Sequence, residues 1–108
     1  MRVVPGIAIA PPSLAGIARR VEARIGDVLE AELDRWSAVD PDLAEPFSAL
    51  RDLVLAGGKR LRPAFCHWAY VGAGGDAGDA AVVDAGAALE LLHTIALVHD
   101  DLMDGSAT

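Results

Sequence analysis

The sequence predicts an all-α fold, and three observations support this prediction. Of the 108 residues, 53% are hydrophobic and only 5% are aromatic, and Ala, Leu and Val dominate the apolar set. Apolar residues recur every three or four positions along most of the chain, and no segment shows the alternation of a half-buried strand. Clusters of Pro and Gly divide the chain into segments of helical length. This length allows at most one domain.

Two helices are predicted in the first half of the chain. Ser13 is a suitable N-cap, and the helix after it continues to about Trp36. Its apolar face is formed by Leu14, Ile17, Val21, Ile25, Val28, Leu29 and Leu33. Its other faces are expected to be solvated and carry Arg19, Arg20, Glu22, Arg24 and Glu30. A break at 39–42 precedes a second helix, which ends at Ala56 because a Gly pair follows.

A third helix is predicted from Pro63, whose fixed φ and missing N–H suit the first helical position. The glycine-rich segment 72–78 ends it. Cys66 is the only cysteine, which excludes an intrachain disulfide and favours a reducing, cytoplasmic location. We interpret Cys66 as a packing residue rather than a nucleophile, because Phe65 and Trp68 beside it are typical of packed helix faces.

A fourth helix is predicted to begin at Asp76 or Asp79 and to end near Met103. Its apolar residues point in nearly every direction, so three preceding helices would cover it poorly. We therefore expect residues 13–108 to be the N-terminal helical portion of a larger, incomplete bundle. A flexible leader is expected at 1–12.

Charge and hydropathy exclude several classes of protein. The 9 basic and 16 acidic residues give a net charge of −7, which argues against binding to nucleic acid or to anionic membranes. The apolar run 80–98 approaches membrane-spanning length, but Asp84, Glu90 and His93 within it would be costly in lipid, so no stable membrane insertion is expected. The apolar start of the chain is not a secretory signal, because Pro5 and Gly6 interrupt it.

The segment HTIALVHDDLMD ends the fourth predicted helix with an unusual set of polar side chains. His93, Asp100 and Asp104 share one helical face at this spacing. Two effects oppose this arrangement, each by a few tenths of a kcal/mol. The carboxylates repel each other, and they lie near the negative pole of the helix dipole. A hard divalent cation would offset both effects, and Mg²⁺ suits one or two carboxylates together with phosphate oxygens.

The segment AGGKRLRP at 56–63 places three cations just before the third predicted helix. Lys59, Arg60 and Arg62 lie within four positions of an otherwise acidic chain. A helix N-terminus offers unpaired N–H groups, and an Arg side chain pairs with two phosphate oxygens at once. The segment therefore predicts a cradle for a diphosphate. It is not a Walker A loop, because the four-residue spacer and the following Ser or Thr are missing.

With GGKRLRP followed by HDDLMD on the next helix, the chain resembles the trans-isoprenyl diphosphate synthases, or polyprenyl synthetases. The resemblance extends from about Leu50 to Ser106. The first predicted helix, at 13–38, fits the family only in general character. It implies an isoprenoid-synthase-type helical bundle with a central cavity, and a homodimer. It also implies a prenyltransferase that joins an allylic diphosphate to isopentenyl diphosphate and depends on Mg²⁺.

The same resemblance implies a role for each site residue. Lys59, Arg62 and His93 would bind the diphosphate of isopentenyl diphosphate. The catalytic acids would be Asp100, Asp101 and Asp104, the first and last of them binding Mg²⁺ and Asp101 supporting the metal shell from the side. The residues before the acidic motif, 94–96, are not aromatic, which implies an open channel and a product of twenty carbons or more.

The family carries an Arg pair and a second acidic motif further along the chain, and neither occurs within residues 1–108. We therefore expect these residues alone to be inactive. Three alternatives stay open at this stage. They are a class I terpene cyclase, a non-catalytic partner subunit of a prenyl synthase, and a structural bundle in which the acidic residues are a solvated helix end.

Overall fold

The computed structural model describes residues 12–56 and 58–105 and confirms the all-α prediction, since these residues form no strand. Four α-helices follow one another, α1 (Leu14–Val39), α2 (Ala44–Ala56), α3 (Leu61–Gly72) and α4 (Ala80–Met103), with a 3₁₀ turn at Pro41–Leu43. Of the predicted leader, residues 1–11 lie outside the described residues. Its last residue, Pro12, accepts a hydrogen bond on its carbonyl from Trp68 Nε1 at 2.7 Å.

Side-chain caps set two of the helix starts. The Ser13 hydroxyl accepts from the Gly16 N–H at 3.0 Å, which confirms the predicted N-cap. Asp79 Oδ1 accepts from the Ala81 N–H at 3.0 Å, so the fourth helix uses the later of its two predicted starts. The predicted start of the third helix at Pro63 was wrong by two residues, because Leu61 is its first residue. Pro63 then lies in the first turn, where an N–H has no acceptor within the helix.

The core lies where α1 faces the other three helices. Every fourth residue of α1 is buried, as its apolar spacing predicted, and these are Ile17, Val21, Ile25 and Leu29. They pack with Val54 of α2, Ala64 of α3, and Val83 and Ala87 of α4. Each fully buried aliphatic side chain contributes about 1.5–3 kcal/mol to the free energy of folding. Because α1 supplies four buried side chains that pack against the other three helices, it is the central helix of the described structure.

The charged faces of α1 differ in part from the prediction of solvated surface. Arg20 is only half-exposed and donates to the Ala77 carbonyl at 2.7 Å, and Glu22 is paired with Arg60. Arg24 and Glu30 are exposed as predicted, yet both form interhelical ion pairs, with Asp84 at 2.6 Å and with Arg51 respectively. The reason is that α1 contacts three helices, so the faces beside its apolar stripe also meet neighbours.

A glycine allows α4 to cross close to the start of α3. A Cβ atom at Gly86 would lie 2.8 Å from Pro63 Cβ and 3.3 Å from Pro63 Cα, too close for any larger residue without movement. Both Gly86 and Pro63 are buried. This contact fixes the start of α3, and hence the cationic segment before it, against the middle of α4.

The two ends of α4 have different surroundings. Its first half supplies buried residues, namely Val82, Val83, Gly86, Ala87 and Glu90. Its second half leaves large apolar side chains exposed, namely Leu92, Ile95, Leu97, Val98, Leu102 and Met103. The helix is long and apolar enough to cross a membrane by length and composition, with a mean hydropathy of 1.7 over its best window, of which 28% is buried. The absence of membrane insertion stays a prediction.

The packing predicted around Cys66 is only partly present. The thiol is half-buried and free of any disulfide among the described residues. Phe65 is largely exposed and meets Trp68 edge-on, so its expected burial was wrong. The buried side chain of this turn is His67, whose Nε2 has no hydrogen-bond partner among the described residues. Burial first, and then the nearby Arg20 guanidinium, lower the pKa of His67 below its ordinary value.

Candidate functional site

A cleft of about 270 Å³ lies between the end of α2, the segment that precedes α3, and the second half of α4. Its walls are mainly apolar, with a few polar groups among them. It is lined by Leu53, Val54, Gly58, Arg60, Glu90, His93, Thr94, Leu97, Val98 and Asp101. Apolar wall surface with a few polar groups is also found in small-molecule pockets, although this volume lies just below their usual range.

The cationic segment reaches this cleft through a tight turn. Gly58 has φ 75° and Arg60 has φ 59°, so two of three consecutive residues adopt the left-handed conformation. A glycine tolerates this conformation, whereas an arginine adopts it only when surrounding contacts hold it. Lys59 on this turn and Arg62 in the first turn of α3 are both exposed and do not line the cleft, and neither forms an ion pair with a described residue. Both remain available to an anion.

Arg60 does not fit the predicted cradle of three cations, because its side chain is only 3% exposed. Its Nε donates to Glu22 Oε1 at 3.1 Å, and its Nη1 donates to Glu90 Oε2 at 2.9 Å. Its Nη2 donates to the Val54 carbonyl at 2.8 Å. Three of the five N–H donors of the guanidinium therefore have partners, on α1, α2 and α4, and two carboxylates compensate its charge.

Only one of the three carboxylates at the acidic end of α4 lines the cleft. Asp100, Asp101 and Asp104 are all exposed, and none forms an ion pair with a described residue. Asp101 lines the cleft together with His93, whereas Asp100 and Asp104 do not. Successive residues turn by about 100° on a helix, which places Asp101 on the Glu90 side of the helix and the other two carboxylates nearer the His93 edge.

The carboxylates of Asp100 and Asp104 fit one side of a magnesium site. They lie one turn apart, are exposed, and offer the hard oxygen ligands that Mg²⁺ prefers, with its remaining positions left to water and phosphate. The described residues contain no group of three or more His, Cys, Asp or Glu side chains placed to hold a metal ion by themselves. A cation here would need ligands beyond these two side chains.

Sequence reasoning missed the pairing of Glu90 with Arg60. Glu90 was noted only as a charge that argued against a membrane span. A carboxylate in the middle of an apolar helix is almost never buried unless it is paired, and its side chain is 7% exposed. That rule predicts a cationic partner, and Arg60 in the cationic segment is the one that the fold supplies.

Comparison with known proteins identifies the family. The model of the polyprenyl synthetase family matches residues 45–108, more than half of the chain and inclusive of both motifs. The chain therefore belongs to the polyprenyl synthetase family, as the resemblance implied. No solved structure matches the chain.

Individual relatives match the chain over different lengths. A short chain isoprenyl diphosphate synthase of Methanothermobacter thermautotrophicus is 50% identical over 56 residues, 52% of this chain and 17% of that protein. A nonaprenyl diphosphate synthase of Mycobacterium tuberculosis is 38% identical over 103 residues, 94% of this chain and 28% of that protein. A geranylgeranyl diphosphate synthase of the same organism is 51% identical over 51 residues, 47% of this chain and 14% of that protein.

The chain thus spans less than a third of each of these relatives. The nonaprenyl relative aligns with nearly the whole chain, so the likeness also includes most of α1. The resemblance carried by the two motifs extends only from about Leu50 to Ser106. The likeness at α1 was missed because an amphipathic helix without a motif looks alike in many helical proteins.

Proposed function

We propose that these residues are part of a Mg²⁺-dependent prenyltransferase, which joins an allylic diphosphate to isopentenyl diphosphate. The observation that carries the proposal is the cleft whose lining includes both Gly58 of the cationic segment and His93 and Asp101 of the acidic helix end. Two motifs that are separate in sequence thereby border the same cleft. Family membership and relatives named as isoprenyl, nonaprenyl and geranylgeranyl diphosphate synthases support the same reaction.

In this proposal the exposed cations bind isopentenyl diphosphate, the substrate that keeps its diphosphate during the reaction. Lys59, on the turn beside the cleft, and Arg62, in the first turn of α3, bind the diphosphate of isopentenyl diphosphate, and His93 on the cleft wall donates a further hydrogen bond. The apolar walls receive the hydrocarbon part of the substrates. Holding both reactants by their charged ends orients the double bond toward the allylic carbon, which is the main way in which positioning accelerates such a reaction.

The acidic end of α4 binds the allylic diphosphate through Mg²⁺. Asp100 and Asp104 bind Mg²⁺, and Asp101 supports that site from the cleft wall. When bound, Mg²⁺ neutralises the charge that develops on the departing pyrophosphate. No nucleophile from the protein is required, because the double bond of isopentenyl diphosphate supplies the electron pair. The adduct then loses a proton to the released pyrophosphate, which gives the new double bond.

The product is proposed to contain twenty carbons or more, formed by a cytoplasmic homodimer. Thr94 lines the cleft and Ile95 and Ala96 follow it, and none of the three is an aromatic residue that would block a growing chain. Relatives named as geranylgeranyl and nonaprenyl synthases agree with a longer product.

Incubation of the full-length protein with radiolabelled isopentenyl diphosphate, an allylic diphosphate and Mg²⁺ tests the proposal. We expect label in an extracted polyprenyl alcohol after dephosphorylation, and loss of that label when a chelator removes the metal. Consumption of the allylic diphosphate to a cyclic hydrocarbon without isopentenyl diphosphate would indicate a terpene cyclase instead. No product from either reaction would contradict both assignments.

A further inference from the structure

We infer that Arg60 is a positioning residue, which holds the cationic segment at the cleft through Glu90 and Glu22 and does not itself bind the diphosphate. This inference rests on the proposed function, since it concerns how the diphosphate site is held in place. Arg60 lies between Lys59 and Arg62 in sequence, so by composition all three would be anion ligands. Arg60 lines the cleft and the other two do not, but its burial and its three protein partners separate it from them as a ligand for an anion.

The contacts of Arg60 join the helices that form the cleft. Its guanidinium reaches Glu22 on α1, the last turns of α2 at the Val54 carbonyl, and Glu90 on α4. Its own carbonyl accepts from the Ala64 N–H at 3.1 Å, which closes the first turn of α3. One residue thereby ties the start of α3 to the other three helices, and this explains why it keeps a left-handed backbone that an arginine rarely adopts.

Glu90 also connects this network to the cleft. It is three residues before His93, so one helical turn separates the carboxylate that holds Arg60 from the imidazole proposed to bind the diphosphate. Its carbonyl accepts from the Thr94 hydroxyl at 3.0 Å. A shift of Glu90 relative to Arg60 would therefore move Lys59 and Arg62 relative to His93.

Neutralising Glu90 distinguishes a positioning role from direct binding. If Arg60 were a diphosphate ligand, the competing carboxylates would weaken its hold on the substrate, and Glu90→Gln would lower the KM for isopentenyl diphosphate. If Arg60 is a positioning residue, Glu90→Gln loosens the segment and raises that KM by about threefold or more, through loss of a charge-assisted hydrogen bond. The KM for the allylic diphosphate and kcat should change little, because neither Asp100 nor Asp104 contacts the network.

The full-length protein is assayed as wild type, Glu90→Gln, Glu22→Gln and Asp84→Asn. Glu22 is 42% exposed, so its variant keeps the test valid even if Glu90→Gln fails to fold. Asp84→Asn is the matched control, because it removes a carboxylate that joins α4 to α1 through Arg24 and does not touch Arg60. We expect both glutamate variants to raise the KM for isopentenyl diphosphate and the control to leave it unchanged.

An unchanged or lower KM in both glutamate variants overturns the inference, as does an equal rise in the KM of both substrates. A wild-type protein that incorporates no isopentenyl diphosphate contradicts the proposed function instead. The positioning role is then decided by the dissociation constant for inorganic pyrophosphate, measured by calorimetry on the same four proteins. Weaker binding in the glutamate variants alone supports it, and binding that is absent from the wild type or equal in all four overturns it.

Discussion

Both halves of α4 are mostly apolar, but their environments are opposite. Residues 80–91 meet α1 and α3 through close contacts such as Gly86 against Pro63, and they bury Glu90 in an ion pair. Residues 92–103 keep most of their apolar side chains exposed, with Leu92 at 64% and Leu102 at 77%. Every proposed functional group of this helix lies in or next to the second half. The buried part of α4 is therefore separate from the part to which we assign the proposed chemistry, and Glu90 lies at the boundary between them.

The largest expected effect contrasts a carboxylate from each half. Glu90→Ala should lower the free energy of unfolding by about 3 kcal/mol, because it leaves a buried guanidinium with only a half-exposed partner. Asp101→Ala, on the exposed half, should change it by less than about 0.5 kcal/mol. Denaturant unfolding of both variants measures the difference. Equal effects from the two substitutions would show that the halves do not differ in this way.

The next effect concerns activity without stability. Asp100→Asn and Asp104→Asn should each reduce turnover by about 100-fold, since a carboxylate ligand of the proposed metal is lost where charge develops. The thermal midpoint should stay close to that of the wild type, because both side chains are exposed. Asp34→Asn on α1 is the control, and its steady-state kinetics should match the wild type. Turnover within twofold of wild type in both α4 variants would argue against the metal-binding role.

A third experiment tests the close crossing in the buried half. Gly86→Ala should destabilise by about 1–2 kcal/mol, because the clash with Pro63 outweighs the gain in helix propensity. Gly26→Ala on α1 meets no atom within 4 Å and should instead stabilise by about 0.5–1 kcal/mol. The opposite signs are read from thermal unfolding. A stabilising Gly86→Ala would mean that α3 and α4 are free to separate.

The fourth prediction is a pH dependence that arises from the buried His67 of α3. Its folded-state pKa is lowered, so the unfolded chain takes up a proton near its usual pKa of about 6.5 while the folded chain does not. Stability should be complete above that pH and fall below it, by at most about 1.4 kcal/mol per pH unit. His67→Gln should flatten this slope between pH 6.5 and 5. The exposed His99→Gln should not, and a slope that persists in His67→Gln would assign the effect to other groups.

The smallest effect on stability is expected in the exposed half, where product length is proposed to be set. Ala96→Phe should shorten the product while changing stability by less than about 0.5 kcal/mol, because residue 96 is exposed. Ala88→Phe, at an exposed position of the first half, should leave product length unaltered. Chromatography of the dephosphorylated products gives the chain lengths. Identical products from wild type and Ala96→Phe would contradict the proposed channel.

Much of the fold could be predicted because it depends on local periodicity. The four helices, the Ser13 cap and the end of α2 at Ala56 all follow from spacing and from Pro and Gly positions. The start of α3 was misplaced because a proline is tolerated at several positions of a first turn. The burial of Arg60 and the exposure of Phe65 could not be predicted. Burial depends on which helices meet, and the spacing of residues along the sequence carries no information about that.

The helical class, the order of the two motifs and the family to which they point can all be predicted from the amino-acid sequence. Both motifs are contiguous, so their chemistry can be recognised without knowledge of any distant contact. The packing of the helices, in contrast, selects Arg60 from the three cations to pair with Glu90 and Glu22, while Lys59 and Arg62 stay exposed. The reason is that a charge loses its hydration on burial, and the partners that compensate this loss lie 30 and 38 residues away along the chain.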